Sequence, residues 1–175
     1  MLHGELVILR ARHSDDVPVL HAELYEDVET RSRADNRPWR PLGPAASPYL
    51  IGEPSDNAAV FSIVQRADGE LAGEALLWAI DLHNRSAHLG ISLRPAHRGR
   101  GLGVDVVRVL VRYGFAVRGL HRLQVDTLAD NAAMIAAARA VGFTLEGTFR
   151  KAAWTVDGFV DEVVLGLLAE EWNEG

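Results

Sequence analysis

The run of elements legible in this sequence predicts a mixed α+β domain. It would be a central, mostly antiparallel, twisted sheet of about seven strands with one parallel, splayed pair, flanked by helices. Three observations carry that expectation. Between Ala59 and Leu93, three strand-like runs follow one another through tight turns, the pattern of an antiparallel meander. Ser86–Leu93 then leads through a glycine-rich turn into an apolar-striped helix and another strand, a crossover that makes one pair parallel. Two long strand-like runs meeting at Asp157-Gly158 close the chain.

In order, Gly4–Arg12 reads as a strand, with Leu6, Ile8 and Arg10 alternating against Val7, Leu9 and Ala11. Ser14 is the expected N-cap of a helix reaching about Glu29, with Asp15 and Asp16 in its first turn and Val17, Leu20, Leu24 and Val28 at helical spacing. Periodicity lapses from Thr30 to Asn57, where five of the seven prolines fall, together with Arg31, Arg33, Arg37, Arg40 and Trp39. A loop of that length inside one domain is expected to be a lid or binding segment, with a short helix around Pro48–Gly52. The arginines point to an acidic or carboxylate-bearing ligand there, and Trp39 is a candidate to line its pocket.

The meander strands are Ala59–Arg66, Glu70–Ile80 and Ser86–Leu93, joined at Asp68-Gly69 and Asp81–Arg85. Gly101–Arg118 is rich in β-branched valines, yet its length and the stripe Leu102, Val106, Val109, Leu110, Tyr113 and Val117 make it a helix. His121–Leu128 is the next strand. Asp130 is the expected cap of the helix Asn131–Val141, which Gly142 ends at the C′ position. Thr144–Trp154 and Phe159–Leu168 are the closing strands, and their Trp154 and Phe159 are candidates for a homodimer interface.

Composition bounds the function. The chain has 175 residues, 48% of them hydrophobic, enough for a single domain spanning 1–175 with its own core. It lacks a membrane-length apolar run and a charged-then-apolar leader, so no membrane role is expected. The absence of cysteine excludes disulfides, thiolate zinc sites and a cysteine nucleophile, and suits a cytoplasmic protein. A formal charge of −6 supplies no global field for nucleic acid. The seven histidines show no metal-ligand spacing, so no metal is expected.

The chemistry converges on Leu93–Gly103. Gly99, Gly101 and Gly103 at a helix start would bare backbone N–H groups where the helix dipole favours an anion, which predicts a phosphate-binding turn. A P-loop is excluded, because neither a lysine nor a hydroxyl follows Gly103. The dinucleotide fingerprint fits poorly, since Val104 stands where its third glycine belongs and three antiparallel strands come first. The remaining pattern, an Arg followed three and five residues later by glycines, is met by Arg98, Gly101 and Gly103.

In that pattern the sequence resembles the GNAT superfamily of N-acetyltransferases. The likeness extends to Asp130–Phe143, similar to the family's second cofactor-side segment. Glu146–Leu168 is similar to the closing strands of the Rim-type branch, which acetylates protein N-termini, and Gly4–Asp16 resembles that branch's opening. The resemblance implies direct transfer of acetyl from acetyl-CoA, the donor substrate, to a primary amine of a protein N-terminus, an amino acid or a small molecule. It implies that Ile91 and Leu93 pair with the pantetheine arm. Gly99, Arg100, Gly101, Leu102, Gly103 and Val104, with Arg98, would hold the pyrophosphate, and Asn131 would approach the cofactor arm.

For the general base, His88 stands where the Rim-type branch usually has glutamate; Glu74 is a second candidate and Asp126 a third. Two departures concern the general acid. Ala138 stands where many relatives have tyrosine, and Met134 where the Rim-type branch often has serine. They keep a second reading open, a non-catalytic acyl-CoA-binding or sensor protein of the same fold.

Overall fold

The computed structural model describes residues 1–173. The expected first strand, Gly4–Arg12, is confined to β2 (Val7–Arg10), and a short strand the sequence reading did not expect, β1 (Leu2–His3), precedes it and pairs back on it. The turn between them is held from outside the local sequence. The buried carboxylate of Asp105 accepts the N–H groups of Glu5, Leu6 and Val7 at 3.1, 2.7 and 3.0 Å. Gly4 sits so close to that carboxylate that a Cβ would meet Asp105 Oδ2 at 2.4 Å.

The first helix is also two. α1 (Asp16–Leu20) runs on as a π-helical turn, His21–Tyr25, and α2 (Val28–Ala34) starts afresh with Asp27 as its cap. Ser14 caps nothing. Asp16, buried, instead receives Arg10 at 2.6 and 2.8 Å, the His13 N–H at 2.8 Å and the Ser62 hydroxyl at 2.7 Å. The long segment expected as a loop is therefore helical as far as Ala34, and its short helix is a 3₁₀ turn at Pro44–Ala46 rather than Pro48–Gly52.

β3 (Ala59–Gln65), β4 (Leu71–Asp81) and β5 (Ser86–Leu93) form the meander. α3 (Leu102–Arg112) continues as a π-helical turn over Tyr113–Val117, where Gly114 lies against Leu123. β6 (Arg122–Leu128), α4 (Ala132–Val141), β7 (Thr144–Thr155) and β8 (Gly158–Leu168) complete the chain.

The eight strands make one sheet in the order β1-β2-β3-β4-β5-β6-β8-β7, antiparallel throughout except for β5 with β6. The main core lies on one face. There Val7, Leu9, Ile63, Ala75, Leu77, Leu89 and Leu123 pack under Val106, Leu110 and Ala138 of α3 and α4. A smaller cluster on the other face, Leu20, Leu24, Tyr25 and Tyr49, seats α1 and its π-turn. Strand alternation then assigns the polar side chains of β3 to β6 to that second face. Among the described residues, no helix is long and apolar enough to cross a membrane.

Candidate active site

The two parallel strands part early. β5 and β6 are paired only over Ser86–His88 with Arg122–Gln124, while β5 runs on to Leu93 and β6, paired to β8, to Leu128. The Arg94 N–H donates to Ala72 O on the β4 side. Alternation therefore turns the N–H and C=O of Ile91 and Leu93 the other way, into the opening. The opposite edge of β5 is fully used by β4, so the row of free backbone groups lies in this cleft alone. The Leu93 carbonyl is taken by Arg98 Nε at 3.0 Å.

The cleft runs into the glycine turn. A 3₁₀ turn, Pro95–His97, carries the buried His97, whose Nδ1 lies 3.3 Å from Gln65 Oε1. Arg94 grips Glu23 of the π-turn with two bonds of 2.9 and 2.5 Å, and these bonds hold the Glu23 carboxyl below its ordinary range. Gly99 and Gly101 both take left-handed backbone, φ 70° and 79°, which only glycine adopts without strain. Gly101 caps α3 with no side chain, so the N–H groups of Leu102, Gly103 and Val104 have no intrahelical acceptor and lie at the positive end of the helix dipole. Gly103 needs no unusual φ; nothing lies within 4 Å of the place its Cβ would occupy. Asp105, the acid of that first turn, is occupied by the β1–β2 connection. Arg100 lines a recess of about 450 Å³ on the flank facing the β3–β4 hairpin, with Glu5, Leu6, Gln65, Arg66, Ala67 and Leu102.

At the apex of the cleft, on the α1 face, His88 and Asp126 meet, Nδ1 to Oδ2. The His88 ring lies on Trp78, centroids 4.4 Å apart, and Gln124 Nε2 donates to the other Asp126 oxygen at 2.8 Å. Burial alone would raise the Asp126 carboxyl; the bonds from His88 and Gln124 outweigh it and hold Asp126 below the usual range. Glu162 of β8 stands on the same face, opposite Leu128, and burial and the Asp126 charge push its carboxyl up. Two of the three sequence candidates for a base are therefore one hydrogen-bonded pair.

Glu74 faces the same side but lies farther along, paired across to Ser62 and Ser92 rather than to His88. Arg12 holds it at 2.5 Å. Burial raises its carboxyl despite that cation. Asn131, not Asp130, caps α4: its Oδ1 accepts the Met134 N–H at 3.2 Å, and its Nδ2 donates to Thr127 Oγ1 at 3.0 Å. Asp130 instead pairs with Arg33 of α2 at 2.6 Å. Ala138 is wholly buried in the main core.

Of the loop arginines, Arg37 pairs with Asp35 at 2.7 Å and is exposed, while Arg31 is buried. Trp39 Nε1 donates to the Tyr25 carbonyl at 3.0 Å. Sequence reading missed Arg12, Tyr49 and Glu162. No spacing distinguishes Arg12 from any residue at a strand end, and the other two join the site only through the sheet register and the loop's return. Among the described residues, no cluster of three or more His, Asp or Glu side chains is arranged to hold a metal ion.

Comparison with known proteins follows the same outline. Residues 7–144 match the family model described as acetyltransferase (GNAT) domain. The chain is 26% identical over 174 residues, 98% of this chain and 97% of the relative, to the uncharacterized N-acetyltransferase p20 of Bacillus licheniformis. In structure it is similar to the spermidine N-acetyltransferase of Vibrio cholerae solved with CoA and spermine, with a TM-score of 0.85, 20% identity and coverage of 96% and 98% of the two chains. It is also similar to RimL, a ribosomal L7/L12 alpha-N-protein acetyltransferase solved with coenzyme A, with a TM-score of 0.74, 22% identity and 94% coverage of each.

Proposed function

Because the chain belongs to the GNAT acetyltransferase family, we propose that it moves the acetyl group of acetyl-CoA to a primary amine by direct transfer within a ternary complex. The observation that carries this reading is the continuity of one cleft, in which the open edge of β5 leads into the bare N-terminus of α3. A long donor with a peptide-like arm and a diphosphate suits both ends at once. The N–H groups of Leu102, Gly103 and Val104, presented by Gly99 and Gly101, hold the pyrophosphate, with Arg98 and Arg100 adding charge. Backbone groups of Ile91 and Leu93 pair with the arm, and Asn131 flanks it. CoA in the solved relatives of similar fold supports the assignment.

The reaction follows from the apex. The amine must be neutral before its lone pair can add to the thioester carbonyl. His88 takes the proton, directly or through one water, and Asp126 fixes the ring and balances the imidazolium. A β5 N–H facing the opening polarises the carbonyl oxygen as it becomes an oxyanion. The C–S bond then breaks as the carbonyl re-forms, and the CoA thiolate takes its proton from water, since no tyrosine occupies the Ala138 position. Glu74, tied to Arg12, is the weaker candidate for base.

Isothermal titration with CoA, then thiol release from acetyl-CoA across an amine panel, tests the reading. Binding with turnover supports it; binding with none, over an exhaustive panel, makes the chain a non-catalytic acyl-CoA sensor. Failure to bind at millimolar CoA overturns both. Rim-type and spermidine acetyltransferases are both near in fold, and the acceptor class spans protein N-termini, amino acids and small amines. We assign the protein to the cytoplasm. We also assign homodimerisation to the closing hairpin, where Trp154, Val156 and Phe159 are 65%, 53% and 57% exposed; sedimentation of a Trp154→Arg variant as a monomer would support it.

A further inference from the structure

The donor cleft and the His88–Asp126 pair leave a second charged cluster on the same face unexplained. Arg12, with only 5% of its side chain exposed, spans Glu74 and the Tyr49 carbonyl, the latter at 3.1 Å. Arg31 of α2, with 10% of its side chain exposed, pairs with Asp35 and lies over the Tyr25 ring at 5.3 Å. The two guanidiniums share surroundings, since both act on the Glu74 carboxyl and on the Tyr49 phenol. Each retains a buried Nε–H with no acceptor, which among the described residues is otherwise true only of His21 Nε2. Buried guanidinium donors are costly to leave unmade.

The charges do not cancel. Arg12, Arg31 and, at the rim, Arg37 face only Glu74 and Asp35. At the other end of the same face the sign reverses, with Asp126 bonded to His88 and Glu162 near Asp126. One end thus suits an ammonium about to lose its proton, and the other an anion. His88 pairs with Trp78, and Glu74 lies four residues earlier on β4, so the ends are separated by roughly 13 Å of strand at about 3.3 Å per residue. Arginine and histidine side chains reaching inward shorten that span.

Resting on the acetyl-transfer reading above, we infer that the acceptor amine also carries a carboxylate several bonds from its nitrogen, and that Arg12 and Arg31 receive that carboxylate. The chemistry is that of an ω-amino acid or of a short peptide with an acidic side chain close to its N-terminus. A polyamine, cationic at both ends, is disfavoured by the same cluster.

A length-matched series tests this: 6-aminohexanoate, 6-aminohexanamide and 1,6-diaminohexane, with the tripeptide amides Ala-Glu-Ala and Ala-Gln-Ala as a second pair. The expected kcat/KM is at least about tenfold higher for the acid than for its amide, and lowest for the diamine, the size of a charge-assisted hydrogen bond. Whichever pair shows the larger ratio names the source of the carboxylate. Arg31→Gln should bring the acid-to-amide ratio close to one. Arg31→Lys, which keeps the charge but loses the fork, should lower it severalfold and serves if the glutamine variant does not fold. Equal use of acid and amide, preference for the diamine, or ratios untouched in both variants would overturn the proposal. Calorimetry on the CoA-loaded protein separates it from catalysis. Preferential binding of 6-aminohexanoate without turnover of any amine keeps the carboxylate site and removes acetyl transfer, whereas turnover in the reverse order does the opposite.

Discussion

His88, the last residue of β5 paired to β6, is hydrogen-bonded to Asp126 of β6, two residues beyond its register partner Gln124. The bond bridges the point where the sheet opens. It places a proton acceptor, with a carboxylate behind it, at the apex of the cleft that the free edge of β5 lines. The partially exposed ring is fixed from its other side by Trp78. An imidazole and the carboxylate bonded to it are thereby brought together from two positions 38 residues apart in the chain.

His88→Ala should lower kcat by about a hundredfold or more, the usual contribution of a positioned base, while CoA affinity stays within about twofold. Asp126→Asn keeps the shape but loses the charge behind the ring, and should lower kcat by about tenfold. Stopped-time thiol release with parallel CoA calorimetry checks both. A fall in CoA affinity equal to the fall in rate would mean that the pair is structural.

The turn allows binding and stability to be separated. A side chain at Gly103 has open space, so Gly103→Glu should fold normally yet set a carboxylate against the pyrophosphate, weakening CoA at least about tenfold. Gly101→Ala instead forces a Cβ into left-handed backbone, at a cost of about 1 kcal/mol in stability. Thermal unfolding of the two variants, read beside their CoA affinities, should rank them in opposite orders.

Asp105→Ala removes the one acceptor serving three buried or half-buried N–H groups of the β1–β2 turn. The expected loss is about 3 kcal/mol, most of it the unmet donors. Hydrogen exchange should show Glu5, Leu6 and Val7 losing protection first, with β3 to β5 little changed.

Stability should depend on acid through Asp16. Burial acts to raise its carboxyl, but Arg10, the His13 N–H and Ser62 together drive it far below the ordinary value. A depressed folded-state pKa stabilises fully above the unfolded value, about 4, and that stabilisation is lost as pH falls below it. Asp16→Asn should cost about 3 kcal/mol at neutral pH, and its denaturation midpoint should fall less steeply than the parent's between about pH 4 and pH 2. Parallel acid limbs for parent and variant would refute this account.

Much of this was legible beforehand, for identifiable reasons. The meander, the crossover helix and the closing hairpin follow from turn pairs and apolar spacing, both properties of neighbouring residues. The glycine turn was legible for the same reason, because left-handed backbone and a bare helix N-terminus are written within five positions. Where the reading failed, a distant partner had intervened. Ser14 lost its cap role because Asp16 is bound by Arg10 and Ser62, Asp130 lost its own to Arg33, and the first strand starts only at Val7 because Asp105 reaches back across about a hundred residues to hold the turn before it.

By itself, then, the sequence determined the layered fold, the glycine turn and the identity of the polar residues that could do chemistry, because local spacing sets the backbone and the face each side chain takes. Only the tertiary structure decided which of those residues act together. It joined His88 to Asp126, locked Glu74 to Arg12, and set Arg31 of α2 near that second pair. Such pairings depend on sheet register and on how far two strands diverge, and no local pattern encodes a distance between strands.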